Sequence, residues 1–295
     1  MQSRSALDAA NSLLGPVQIR ELANRAGVQP AKAFGQNFVH DAGTVRKIVR
    51  AAGLQPGQRV LEIGPGLGSL TLELLRCGAS VVAVDIDEKL AALLPVTLAE
   101  FAPPDADYIV ITKDALHLQP TDFPGAPPTA LVANLPYNVA VPILLTALAR
   151  FPTLDTALVM VQAEVADRLA AAPGSKSYGV PSAKVAWYAD ARRSLPISRK
   201  VFWPVPNVDS ALVAITRRPP PMTTASREAV FKVIDAAFSQ RRKMLRTALA
   251  GLFGSSPLAE AGLVAAGIAP TARGETLDIN QFAAIAEQLP TDLSS

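Results

Sequence analysis

Two short stretches combine residue types and spacings that suit chemistry. In the first, Val60-Leu61-Glu62-Ile63-Gly64-Pro65-Gly66-Leu67-Gly68, Glu62 stands two residues before a G-x-G-x-G loop that joins an apolar strand to a helical pattern. Glycines at such a turn let the backbone approach a ligand closely and open a helix N-terminus towards it. The spacing is not the dinucleotide fingerprint, whose third glycine would fall at Ser69. Asp85 ends the next apolar strand, and Asp114 lies just beyond the one after that. A carboxylate at the first position can accept from both hydroxyls of a vicinal diol, and one at the second from an aromatic amine. Singly, each is more simply a helix cap. It is their joint placement, at successive strand ends beside one glycine loop, that points to a ligand.

The second stretch, Asn134-Leu135-Pro136-Tyr137, closes a further apolar strand. It places a side-chain amide, a backbone carbonyl ahead of a rigid proline, and an aromatic ring at a strand end, where ligands of open α/β sheets bind. The lone pair of an exocyclic base amine is delocalised into its ring, so no side chain here simply deprotonates it. Oriented acceptors are needed instead. The Asn134 side-chain oxygen and the Leu135 carbonyl can take the two amine hydrogens, while Tyr137 offers a flat face to an extruded base.

The elements that must position these residues read as an α/β alternation from residue 44 to 165. An amphipathic helix ending at Gly53 precedes the strand Arg59–Gly64, and a helix over 68–77 leads to Ser80–Asp85. Three more strands follow in Asp107–Asp114, Thr129–Asn134 and Thr156–Gln162. Their continuous apolar character suits a parallel sheet covered on both faces. Beyond Ala163 the stretches Val185–Ile197 and Ser210–Arg218 read as two longer strands, an antiparallel hairpin at the sheet edge. A Pro-rich segment after Arg217 reads as a hinge. Arg227–Phe253 reads as one long helix carrying Arg241, Arg242, Lys243 and Arg246, and helical patterns at 257–266 and 280–289 complete a small all-α domain. The expected division is therefore 1–217 and 218–295. The helical stretch Pro16–Gly27 either packs on the first domain or stays mobile.

The loop with Glu62, Gly64, Gly66 and Gly68, followed by Asp85 and Asp114, resembles the class I S-adenosylmethionine methyltransferases. Lys32–Asp41, Leu61–Thr71, Ala133–Pro142, Val161–Leu169, Tyr178–Lys184, Val201–Val213 and Phe238–Arg246 occur in the order found in the ribosomal RNA adenine N6,N6-dimethyltransferases. The chain is similar to the bacterial small-subunit branch of that family over about residues 15–285, nearly its whole length. The resemblance implies a Rossmann-like sheet, S-adenosyl-L-methionine as methyl donor, and dimethylation of two adjacent adenosines in the 3′-terminal hairpin loop of 16S rRNA within an immature 30S subunit. It also implies a helical C-terminal domain that recognises the RNA.

Carried onto this chain, the motifs assign Gln36, Asn37 and Phe38 to closure over the methionine end of the donor. Gly64 lies beneath that end, Asp85 is placed at the ribose and Asp114 at the adenine. Asn134, Leu135 and Tyr137 would hold the target base, and Phe202 would stack on its other face. Asp85 stands where glutamate is usual, one methylene shorter, and Pro181 departs from the family pattern, so its loop receives no role. Trp203 receives none either. Two other readings stay open: the macrolide-resistance branch acting on large-subunit rRNA, and a non-catalytic ribosome-assembly factor on the same fold.

Net charge is only +3, but Lys176 to Ala250 holds 14 Lys or Arg against 4 Asp or Glu, +10, which leaves −7 for the remainder. Such clustering suits a polyanionic partner, or else a solvated basic surface. One cysteine, Cys77, rules out an internal disulfide and reads as a small buried residue. With only His40 and His117 besides, no metal site is expected. No apolar run reaches membrane-spanning length, so a cytoplasmic protein without membrane contact, acting as a monomer, is expected.

Overall fold

The computed structural model describes residues 13–28 and 37–290. They form two compact units: one comprises residues up to 166 together with 193–216, the other 167–192 together with 217 onwards.

In the first unit, helix α1 (Pro16–Arg25) precedes the short strand β1 (Phe38–Val39) and helix α2 (Ala42–Ala52). Asp41 caps α2 by accepting from Thr44 N at 2.6 Å, and Gly53 ends it in the left-handed region at φ +63°. Strands and helices then alternate as β2 (Arg59–Ile63), α3 (Ser69–Arg76), β3 (Ser80–Asp85), α4 (Glu88–Phe101), β4 (Tyr108–Thr112), β5 (Ala130–Asn134), α5 (Ala140–Arg150) and β6 (Thr156–Gln162). Helices α6 (Ala163–Leu169) and α7 (Val180–Tyr188) lead to β7 (Ala189–Ile197), β8 (Phe202–Trp203) and β9 (Ser210–Arg217).

Seven strands make one sheet in the order β4-β3-β2-β5-β6-β9-β7. Strands β2 to β6 run parallel, β9 is antiparallel to β6, and β7 is the edge strand beyond it. The chain builds outward through β2, β3 and β4 and then returns to place β5 against the other side of β2. That reversal opens a crevice outside the carboxyl ends of β2 and β5, the ligand site of doubly wound sheets. The helices covering the sheet bury the apolar runs on both faces, as at Leu61, Val82 and Leu131 on one and Val60, Val81 and Val132 on the other. Helix α1 packs into this core through the buried Ile19 and Leu22, so of the two possibilities open for it the first holds.

The second unit is helical: α7, α8 (Arg227–Ser239), α9 (Leu245–Ala248), α10 (Ala250–Phe253), α11 (Ser256–Ala265) and α12 (Ile279–Ala286) surround Ile234, Leu249 and Phe282. Four sequence expectations are overturned by the structure. The chain does not divide at residue 217 alone, because 167–192 packs with the helical unit: Tyr178 donates to the Leu277 carbonyl at 2.8 Å, and Lys184 pairs with Asp235 and lies over the Phe231 ring. The strand expected from Val185 begins only at Ala189. Upstream, Pro181 in the first turn and the Ser182 hydroxyl, which accepts from Gly179 N, start helix α7 instead. The single long helix over Arg227–Phe253 breaks after Ser239, because Leu245 N and Arg246 N bond the carbonyls of Ala272 and Pro270 instead of continuing the helical ladder. Arg241, Arg242 and Lys243 therefore lie in an exposed turn. Cys77, expected to be buried, is exposed at the end of α3.

Candidate active site

A cleft of about 700 Å³ opens at the crevice outside β2 and β5, within the range of small-molecule sites. It is lined on one side by the β2–α3 loop and on the other by the residues that follow β5. The loop is shaped by close packing. Gly66 has φ +57°, and a Cβ there would meet the Phe38 ring at 2.9 Å, so only glycine lets β1 lie over the loop. Ser69, where a dinucleotide fold has its third glycine, donates instead to the Val39 carbonyl at 2.7 Å and ties β1 to α3. Gly64, in the left-handed region at φ +70°, lies beside the β5 end, where a Cβ would be in ordinary contact with the Asn134 carbonyl oxygen at 3.7 Å.

Glu62 is almost fully buried, and one of its carboxyl oxygens, Oε2, has no hydrogen-bond partner among the described residues. Burial pushes its pKa up to about 8, with the neighbouring Asp85 adding to the rise and the Thr71 hydroxyl opposing it. Asp85 is buried as well. Its Oδ2 accepts from Gly66 N at 3.3 Å and its Oδ1 from Asp87 N at 3.0 Å, which orients the carboxylate and leaves lone pairs for two further donors. Burial holds its pKa above the ordinary value, against those two hydrogen bonds. Asp114 does cap a short turn, accepting from Leu116 N at 2.9 Å, and also lines the cleft. Cap and ligand contact are thus not alternatives at this residue. An orphaned buried carboxyl oxygen, two oriented carboxylates and a glycine cradle fit a ligand with a cationic end and an adenosine end.

On the β5 side, Asn134, Leu135 and Tyr137 all line the cleft. Asn134 donates from Nδ2 to the Asn37 carbonyl at 3.1 Å, so its oxygen is the atom left to accept from a ligand. Leu135 is buried and its N–H is bonded to the Met160 carbonyl. Tyr137 is half-buried, with its hydroxyl 2.7 Å from Ser210 Oγ, and burial raises its pKa.

Two of the expected site residues do not join this group. Phe202 is fully buried, paired across the small sheet with Val39, and does not line the cleft. Its neighbour Trp203 stacks on Phe38, the ring centroids 6.4 Å apart. Gly68, at φ +94°, caps α3 and packs against Leu94, where a Cβ would lie 2.9 Å from Cδ1. Gln36 lies outside the described residues.

Sequence reasoning passed over Ile86, Ser69 and Ser210. Ile86 lines the cleft beside Asp85 and is 60% exposed, an apolar surface fit for a planar ring. Its signal was present, an apolar residue just past a strand-end acid. For Ser210 the sequence carries none, because its partner is 73 positions away.

A parallel sheet with its reversal at β2 and β5, an antiparallel strand near one edge and a glycine loop facing two strand-end acids define a class I S-adenosylmethionine-dependent methyltransferase. Within that class, the chain belongs to the ribosomal RNA adenine dimethylase family, whose model matches residues 28–290. It is 61% identical over 282 residues to the ribosomal RNA small subunit methyltransferase A of Streptomyces griseus, covering 95% of this chain and 96% of that one. With the protein of the same name from Thermobifida fusca it shares 59% over 285 residues, 96% of this chain and 99% of the other. Among solved structures, the fold matches a dimethyladenosine transferase from Plasmodium falciparum with TM-score 0.69, at 22% identity over 84% of this chain and 95% of that one. It also matches the 23S rRNA methyltransferase ErmE with TM-score 0.61, at 28% identity over 86% and 99%.

Proposed function

We propose that this chain transfers methyl groups from S-adenosyl-L-methionine to the N6 amines of two adjacent adenosines in the 3′-terminal hairpin loop of 16S rRNA, acting on an immature small subunit in the cytoplasm as a monomer. The observation that carries the reading is the Asn134 amide, which Asn37 turns so that its oxygen remains as acceptor in the cleft that also holds Asp85 and Asp114. Bound there, the donor supplies an electrophilic methyl group.

The residues of the chain do the rest. Asp85 accepts from the ribose hydroxyls and Asp114 from the adenine amine, with Ile86 against the ring. The Glu62 Oε2, without a partner among the described residues, faces the cationic methionine end, and Asn37, Phe38 and the Gly64–Gly66 backbone enclose it. The Asn134 oxygen and the Leu135 carbonyl accept the two N6 hydrogens, which favours a pyramidal nitrogen whose lone pair can attack. Tyr137 stacks on the target base. Phe202 acts through β1, as the cross-strand partner of Val39 in the cleft wall, and not on the base itself.

Small-subunit specificity is supported by relatives near 60% identity over nearly their whole length that carry the small-subunit name, against 28% for the large-subunit enzyme. The test is methyl transfer from labelled donor to immature 30S particles with the products mapped. N6,N6-dimethyladenosine at two adjacent positions near the 16S 3′ end is expected. Label confined to 23S rRNA, or none, would overturn the reading.

A further inference from the structure

The Tyr137 hydroxyl has a partner that the reaction just described does not use. Ser210 Oγ lies 2.7 Å from it, yet the two residues come from different parts of the chain: the loop after β5 and the first position of β9. Ser210 is 1% exposed and sits opposite Gln162 of β6 in the sheet. Its neighbour Asp209 is held on both sides, the side chain accepting from Arg199 N at 2.8 Å and the carbonyl from Ala163 N at 3.0 Å. The Ser210 hydroxyl is therefore a fixed point, whereas the Tyr137 ring projects from a loop and turns about two torsions. Proline at 136 restrains the backbone ahead of it but neither of those torsions.

We propose that Ser210 is a positioning residue for methyl transfer: by holding the Tyr137 hydroxyl it sets the plane on which the target adenine stacks, and so the placement of N6 against the acceptors at Asn134 and Leu135. The inference rests on the reading of Tyr137 as the stacking surface. It assigns the phenol a mechanical part, since its hydroxyl is engaged with Ser210, and leaves the ring face as the group that touches substrate. Losing the bond costs orientation, to which a transfer step between two bound partners is sensitive.

The experiment is a double-mutant cycle of Ser210→Ala and Tyr137→Phe, with single-turnover methylation of immature 30S particles and donor affinity both measured. Each single change removes the same hydrogen bond and should slow transfer about five- to tenfold with donor affinity unchanged. The double variant should be no slower than the slower single one, whereas independent roles would multiply to about 25- to 100-fold. Ser210→Cys, nearly isosteric but a weak donor, should fall between wild type and Ser210→Ala. A wild-type rate in Ser210→Ala, multiplying losses, or a parallel loss of donor affinity that marks a merely structural serine would each overturn the proposal. Tyr137→Ala separates this from the underlying reading. If that variant binds donor and methylates normally, the stacking role itself fails; if it is inactive while Ser210→Ala is unaffected, only the positioning role does.

Discussion

The Asn134 side chain donates to the backbone carbonyl of Asn37, 3.1 Å away and 97 positions earlier in the chain. An amide has one donor end and one acceptor end, so fixing the first decides what the second can do. The Asn134 oxygen is thereby committed to the cleft side. Asn134→Ala should leave donor affinity nearly intact and slow single-turnover methylation about 100-fold or more, the usual scale for losing one preorganised polar contact. Equal losses in both measurements would make Asn134 a structural residue.

Asp85 should behave in the opposite way. Asp85→Ala removes a charged acceptor from the ribose hydroxyls and also releases Gly66 N and Asp87 N. Donor binding should weaken by about 1.5–3 kcal/mol, measurable by calorimetry. Unchanged affinity in the folded variant would place the ribose elsewhere.

Glu62 predicts a pH dependence of stability without ligand. Its folded pKa, about 8, lies above its ordinary value of 4.5, so between those limits the folded chain binds more protons than the unfolded one. Stability from this group is full below the lower limit and is lost as pH rises towards the upper, with a slope of at most about 1.4 kcal/mol per pH unit. Glu62→Gln should flatten that fall. Denaturant titrations of both proteins from pH 5 to 8 decide the matter, and parallel curves would show that Glu62 is not the group responsible.

The basic turn after α8 divides into two kinds of residue. Arg241, Arg242 and Lys243 are all exposed, but Arg241 is engaged inside its own unit, donating to Glu275 at 2.8 Å and to the Lys176 carbonyl at 2.8 Å, whereas the side chains of Arg242 and Lys243 bond nothing among the described residues. Arg242→Ala with Lys243→Ala should weaken binding to immature 30S particles and lower the log-log salt slope by about 0.7–0.9 per lost phosphate contact, with donor binding unchanged. Arg241→Ala should instead lower the thermal stability of the helical unit. Identical salt slopes for wild type and the double variant would leave this turn a solvated surface.

The amino-acid sequence by itself determined the alternation of strands and helices, the glycine loop, and the strand ends at which Glu62, Asp85, Asp114 and Asn134 stand. Each of these is set within a few residues, by apolar runs, a glycine with positive φ or a cap, so local pattern is enough to read it. Only the tertiary structure decided the rest. Leu245 and Arg246 find carbonyls some 25 positions away, which ends a helix that periodicity alone would continue. Segment 167–192 joins the helical unit because Tyr178 and Lys184 find their partners there, beyond a Pro-rich stretch that reads as a boundary. Phe202, placed by its motif beside the base, is drawn inside by pairing with β1. The bonds that orient the site, Asn134 to Asn37 and Tyr137 to Ser210, join residues 97 and 73 positions apart, and no local propensity records them. Strand order brings those segments together, and strand order is settled by packing across the whole sheet.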